Sequence, residues 1–161
     1  KDISQAELEG MLMENSDEPY AREISMAILS EQRKGHVIDT TTKLKEVIEK
    51  ALVRLPKEEQ KEAVKKSCAR TFQALRIDVN SEFEVLEAFL EKLPRILKPQ
   101  GRVAILTFHS GEDRMVKKSF QSFYREGVYR DIAKEVIRPS KEECNQNSRA
   151  RSTKMRWAIK A

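Results

Sequence analysis

The chain has 161 residues, 39% of them hydrophobic and 35% charged, and a formal net charge of +5. That length suits one full domain or two small ones, and the composition suits a helix-rich, water-soluble protein. No apolar run approaches the ~18 residues of a membrane span, and no basic-then-apolar leader opens the chain. Cys68 and Cys144 have no ligand-like spacing and no Cys/His companions, which predicts two reduced thiols and no zinc site. The first residue is Lys1, not Met, and a helix start follows at once. A piece of a longer chain is expected.

Ser4-Gln5-Ala6-Glu7 has the spacing of a capping box, with Ile3 and Leu8 placed as a hydrophobic staple. Leu8, Met11 and Leu12 share a helical face, and Asn15, Ser16, Asp17 and Pro19 break the run. A second helix, with Tyr20, Ile24, Ala27 and Ile28 on one side, is expected to end near Gly35. Thr40–Thr42 supply an N-cap for a third helix carrying Leu44, Val47, Ile48, Ala51, Leu52 and Leu55, which Pro56 stops. A polar helix with Ala63, Val64 and Cys68 starts near Lys57. Residues 1–70 therefore read as a small all-helical unit.

From Phe72 the character changes. Phe72, Leu75, Val79, Phe83, Leu86, Leu90 and Leu93 recur at helical spacing, which predicts one long amphipathic helix running through residue 81. Ser81-Glu82-Phe83-Glu84 offers a capping-box start as the alternative. Lys98-Pro99-Gln100-Gly101 is a turn. Val103–Phe108 is an unbroken apolar and β-branched run, as expected of a strand covered on both faces in a parallel sheet. A helix beginning at Glu112 or Asp113 buries Val116, Phe120 and Phe123. Residues 132–138 read as a weaker strand, Ser140 as the start of a helical turn, and Asn145–Ser148 as a loop. In the final strand, Met155, Trp157 and Ile159 are expected inward and Arg156, Ala158 and Lys160 outward.

His109, Ser110, Glu112, Asp113 and Arg114 crowd the carboxyl end of the buried strand, where open α/β sheets bind ligands and do chemistry. His109 has three readings: a structural histidine, a hydrogen-bonding partner for a base or ribose, and a proton relay. Ser110 and the amides of the next helix start are placed to hold a phosphate. Glu112 and Asp113 read either as site acids or as caps of that helix. A Ser-His-Asp hydrolase is excluded, because residues 109, 110 and 113 are sequence neighbours and no nucleophile elbow surrounds Ser110. Arg76 and Asn80, four apart, either line a cleft or form a polar seam between subdomains. The five glycines are unclustered, so neither a dinucleotide fingerprint nor a phosphate loop is present.

Charge is uneven. Residues 138–161 hold seven Lys/Arg and two acids, so they carry the whole excess of +5. Arg149, Arg151, Lys154 and Arg156 lie in this strip, with Trp157 beside them. A polyanion partner and a solvated basic edge strand both fit. Arginine forks grip phosphates, and Trp157 is placed either to stack on a base or to enter the core.

Three segments occur in a telling order: Phe72-Gln-Ala-Leu-Arg-Ile-Asp-Val-Asn80, Pro99-Gln-Gly-Arg-Val-Ala-Ile-Leu-Thr-Phe-His-Ser-Gly-Glu-Asp-Arg114 and Asn147-Ser-Arg-Ala-Arg-Ser-Thr-Lys-Met-Arg156. Together they resemble the S-adenosylmethionine-dependent small-subunit ribosomal RNA cytosine-N(4) methyltransferases, the MraW/RsmH family. Residues 1–69, with Asp17-Glu18-Pro-Tyr-Ala21 and Thr40–Thr42, resemble the helical subdomain that this family inserts into its fold. The resemblance implies an α/β fold: the C-terminal part of a Rossmann-like class I methyltransferase sheet (71–161) with a helical insertion subdomain (1–70).

It also implies methyl transfer from S-adenosylmethionine to the exocyclic amine of a cytosine in ribosomal RNA. The amine attacks the sulfonium methyl and loses a proton, so alignment and desolvation outweigh a strong base. No metal is implied. The glycine-rich turn and donor-holding acid of the family are absent, so no cofactor-binding residue is carried over and a chain inactive by itself is expected. His109 is the candidate catalytic residue. Ser110, Arg149, Arg151, Lys154 and Arg156 are candidate RNA contacts, and Arg76, Asn80, Glu112 and Asp113 are cleft candidates. Gly111 departs from the family, which commonly has a larger apolar residue there.

Expected partners are ribosomal RNA and the small ribosomal subunit, with no membrane. The location is a bacterial cytoplasm or an organelle interior. An open edge at Val103–Phe108 would favour a homodimer. Two other readings are a non-catalytic RNA-binding or ribosome-assembly module that retains this half of the fold, and a helical protein-interaction domain built on residues 1–70.

Overall fold

The computed structural model describes residues 3–161. The chain forms two compact units, one ending at Ser81 and the other beginning at Glu82. The expected boundary at residue 70 falls inside a helix, because helical propensity and an apolar face continue unbroken to Asn80.

The first unit is helical: α1 (Gln5–Ser16), α2 (Ala21–Arg33), α3 (Thr41–Ala51) and α4 (Lys57–Asn80). The capping box forms as expected, with the Ser4 amide donating to Glu7 Oε2 at 2.8 Å and the Glu7 amide donating to Ser4 Oγ at 3.3 Å. Thr40 Oγ1 caps α3. Leu8, Leu12, Ile24, Ile28, Leu44, Val47, Ile48, Leu52, Val64 and Ala74 form the core. Each large aliphatic side chain removed from water there contributes about 1.5–3 kcal/mol.

Polar pins fix the register of α1 and its following corner on α4. Asn15 Nδ2 donates to the Ala74 carbonyl, and Gln73 Nε2 donates to the Asn15 carbonyl, each at 3.2 Å. Glu18, only 2% exposed, accepts from Ser67 Oγ at 2.8 Å and from the Tyr20 amide at 3.0 Å.

The expected long helix through residue 81 is two helices. Ser81 takes a left-handed conformation (φ 50°), ending α4, and α5 (Glu82–Ile96) starts anew. Phe72 and Leu75 pack in the first unit and Leu86, Leu90 and Leu93 in the second, whereas Val79, expected in the same stripe, is exposed. Hydrophobic spacing alone does not register a one-residue break in a helix.

The second unit contains α5, β1 (Arg102–Thr107), α6 (Ser110–Arg125), β2 (Tyr129–Ile132), α7 (Lys141–Gln146), a 3-10 turn (Ser148–Ser152) and β3 (Lys154–Lys160). The sheet order is β1-β3-β2, and both pairings are antiparallel. A small mixed α/β unit of this kind fits part of a Rossmann-like class I methyltransferase fold. The expectation of a parallel, doubly covered strand is corrected: β1 pairs only with antiparallel β3 among the described residues, and its side chains alternate in exposure.

On the inner face, Val103, Ile105 and Ala158 pack with Leu86, Leu90, Leu93, Val116, Phe120 and Tyr129. On the other face Leu106 is 57% exposed, and it stands opposite Met155, while Ala104 stands opposite Trp157.

Two further expectations are corrected. The weak strand lies at 129–132 rather than 132–138, because Tyr129 is buried directly after the Gly127 turn (φ 73°). Beyond it, only an isolated bridge joins Ile137 to Met155. The alternation of β3 is also reversed. Arg156 (8% exposed) and Ala158 (0%) face the helices, and Trp157 is half-buried on the other side. The small Ala158 lets α6 approach closely, and Arg156 finds a carboxylate there.

Candidate functional site

The turn after β1 closes on itself. His109, in extended conformation (φ −140°, ψ 168°), is the N-cap of α6, and its Nδ1 accepts the Glu112 amide at 3.4 Å. Glu112 reaches back to accept the Phe108 amide at 2.9 Å. This is the reciprocal logic of a capping box with histidine in the Ser/Thr place. The helix therefore begins at Ser110, ahead of the expected start at Glu112 or Asp113. The signal was legible, since His109 and Glu112 have the same spacing as Ser4 and Glu7.

The His109 side chain is 11% exposed, and its Nε2 lies 3.4 Å from Glu112 Oε1. The alignment is too poor for a hydrogen bond, so the buried Nε2 is left without one. The His109 ring lowers the Glu112 carboxyl from its ordinary 4.5 to about 2; burial opposes this and the Phe108 amide assists it.

Glu82, at the start of α5, brings a third ligand-type atom, so that atoms of Glu82, His109 and Glu112 lie within 4.8 Å of one another. With Nδ1 accepting a backbone amide, a neutral ring carries its proton on Nε2. That nitrogen then presents a hydrogen to the carboxylates rather than a lone pair to a cation.

Asp113 accepts two hydrogen bonds from Arg156, from Nε at 2.8 Å and from Nη2 at 3.2 Å. Burial pushes the Asp113 carboxyl up, but the Arg156 hydrogen bonds and the Arg156 and Lys154 charges outweigh it and hold it below its ordinary value. This removes Arg156 from the solvent-facing basic strip: its side chain is 9% exposed and its fork is filled by Asp113.

Ser110 is exposed in the first turn of α6. The expected phosphate pocket there is met by two ionised carboxylates in the same turn, and the Glu112 and Phe108 amides already have acceptors. Anion binding at that end is opposed by charge.

The basic residues come to the same end of the sheet. Because β3 runs antiparallel to β1, Lys154 stands opposite Thr107, two residues before His109. Arg149 and Arg151 are exposed on the 3-10 turn just before β3. Asn147 Oδ1 accepts the Arg149 amide at 3.1 Å, and the buried Ala150 (6% exposed) anchors the turn, so both arginines project from a fixed backbone. His109, Ser110, Glu112, Asp113 and Arg156 are thus brought together, with Arg149, Arg151 and Lys154 at the same sheet end. Arg76 and Asn80 belong to the first unit, in the last turns of α4, where Asn80 Nδ2 donates to the Arg76 carbonyl at 2.9 Å.

The sequence matches the MraW methylase family over residues 1–161. It is 68% identical over all 161 residues to "Ribosomal RNA small subunit methyltransferase H 1" of Lachnoclostridium phytofermentans, of which it covers 44%. It is 65% identical over 161 residues to "Ribosomal RNA small subunit methyltransferase H 2" of Alkaliphilus metalliredigens, covering 46% of that protein. Identity to the protein of the same name from Acholeplasma laidlawii is 52% over 159 residues, again 46% of its length. The chain spans about half the length of the curated relatives it matches. A match over its whole length, with these identities, makes the chain a member of the MraW methylase family.

Proposed function

We propose that the chain forms part of an S-adenosylmethionine-dependent enzyme that methylates the exocyclic N(4) of a cytosine in small-subunit ribosomal RNA. The observation that carries this reading is the 68% identity, over every residue of the chain, to a protein named as a small-subunit ribosomal RNA methyltransferase. The relatives are bacterial, which supports a cytoplasmic setting.

Within these residues we assign the RNA-contacting share of the work to Arg149, Arg151 and Lys154. They stand at one sheet end, on a backbone fixed by Asn147 and Ala150. Phosphate contacts of this kind set register and affinity without reading sequence. The turn at 108–113 commits the Phe108, Glu112 and Asp113 amides and His109 Nδ1 internally and carries two carboxylates, which argues against it as a cradle for S-adenosylmethionine. We place the donor site in the part of the relatives' length that this chain does not span. The unpaired outer edge of β1 among the described residues supports self-association of the 161-residue chain, which sedimentation would read as a dimer.

A graft tests the assignment. This chain replaces the matching segment of the Lachnoclostridium protein, and N(4)-methylcytosine is measured in small-subunit RNA. The wild-type graft is expected to methylate. Grafts with Arg149→Glu and Arg151→Glu are expected to bind RNA at least tenfold more weakly at low salt, with a shallower salt dependence. A folded graft that leaves the RNA unmethylated would refute the methyltransferase reading. Charge reversals without effect on RNA affinity would refute the assignment to the tail alone.

A further inference from the structure

We infer that Phe83 and Gly111 are a matched pair that positions the imidazole of His109, holding its neutral ring in the Nε2–H form. The inference is independent of the proposed function, because its primary readout is the ring itself.

Gly111 sits in the first turn of α6, between the cap residue and its partner. A Cβ added there would lie 2.7 Å from Phe83 Cζ and 3.2 Å from Phe83 Cε1, closer than packed carbon atoms approach. It would also lie 3.2 Å from His109 Nδ1, the atom that accepts the Glu112 amide. The backbone at 111 is ordinary helix, so conformational freedom does not call for glycine here. Space does: the phenyl ring of Phe83 has taken the volume that a side chain at 111 would need.

Phe83 stands one turn before Leu86 and two before Leu90, the residues by which α5 packs into the core of the second unit. Its ring lies 5.9 Å from the His109 ring at an interplanar angle of 50°. This tilted contact leaves the imidazole little room to rotate about χ2. The Phe83 ring lies beside the imidazole, and the Nδ1 edge is engaged at the helix N-terminus. Nε2 is left 3.4 Å from Glu112 Oε1, with Glu82 in the same cluster.

A protonated Nδ1 would oppose the Glu112 N–H donor directly, so the cap selects the tautomer and Phe83 keeps the ring in the cap. The neutral ring therefore presents a hydrogen at Nε2 and not a lone pair. It does not act as a base at that atom. Phe83 is a positioning residue, acting through His109.

The test is nitrogen-resolved NMR of the histidine rings in the 161-residue chain. The chain has two histidines, and His36, with a 65% exposed side chain, serves as the internal reference. In its neutral form the wild-type His109 ring is expected to be mostly the Nε2–H tautomer, with Nδ1 accepting the Glu112 amide. Phe83→Ala should lower that tautomer preference by roughly fivefold, the worth of one net hydrogen bond. His36 and the helix content should stay unchanged. Gly111→Ala should disturb the His109 signals with Phe83 present, and the double variant Phe83→Ala/Gly111→Ala should recover them in part.

Should Gly111→Ala fail to fold, Phe83→Ala and the double variant decide the matter. A His109 ring with the same tautomer ratio in wild type and Phe83→Ala would overturn the proposal. So would a double variant no closer to wild type than Gly111→Ala.

Discussion

Asp113 and Arg156 are joined by two hydrogen bonds, 2.8 and 3.2 Å long, that tie the first turn of α6 to the middle of β3. Both side chains are largely buried, at 15% and 9% exposure. The pair links the acidic turn to the strand that carries the basic tail. Removing one partner leaves the other charge desolvated and alone. Asp113→Ala is expected to destabilise the chain by about 2–4 kcal/mol. Arg156→Lys should lose about 1–2 kcal/mol, because an ammonium cannot reproduce the planar fork. Urea unfolding of the two variants measures both costs, and equal stability of wild type and Asp113→Ala would contradict this role.

Glu112 makes stability depend on acidity. Its folded-state pKa of about 2 lies below the ordinary 4.5. The lowered value means that the ionised form is favoured by folding. Its contribution is complete above about pH 4.5 and is lost as the pH falls through about 2. After discounting for partial solvent exposure, the contribution is about 1 kcal/mol. Glu112→Gln should flatten the decline of stability across that window. A residual slope from Asp113, lowered by its arginine, should remain. Denaturation midpoints recorded at intervals from pH 6 to pH 2 provide the check.

Tyr129 is 1% exposed, its ring meets Phe120 and Phe123 edge-on, and its hydroxyl has no hydrogen-bond partner. Burial raises its pKa. A desolvated hydroxyl without a partner costs about 1 kcal/mol or more. Tyr129→Phe keeps the ring contacts and is expected to stabilise the second unit by about 0.5–1 kcal/mol. Thermal unfolding of the variant should shift upward, and a drop in stability would mean that the hydroxyl has an acceptor.

Ser81 closes α4 in a left-handed conformation (φ 50°), where glycine carries no Cβ penalty. Ser81→Gly is therefore expected to stabilise by about 0.5–1 kcal/mol, whereas Ser81→Val should destabilise by at least 1 kcal/mol. If the helix instead ran through residue 81, glycine would be the harmful substitution. Comparing the two variants by chemical denaturation distinguishes the cases by sign.

The sequence by itself determined what depends on neighbours a few residues apart. Ser4 with Glu7, Thr40 with Lys43 and Ser140 with Glu143 form the expected caps, because a helix start is a local hydrogen-bonding problem. The spacing of Leu44, Val47 and Ile48 placed the start and body of α3 for the same reason, although the helix ends at Ala51 and not, as expected, at Pro56. The polar turn after Phe108 and the basic tail were legible, as was their kinship with a methyltransferase family.

Only the tertiary structure decided what depends on residues far apart. β1 pairs antiparallel with a strand 47 to 57 positions away, which periodicity cannot register. Arg156 points inward because Asp113 is waiting there, which reverses the alternation that its neighbours suggested. Gly111 has no local cause: its empty Cβ position is filled from another helix by Phe83. Hydrogen bonds within one turn are written in a few consecutive letters, whereas the choice of which face, which neighbour and which volume is settled only when separate elements compete for the same space.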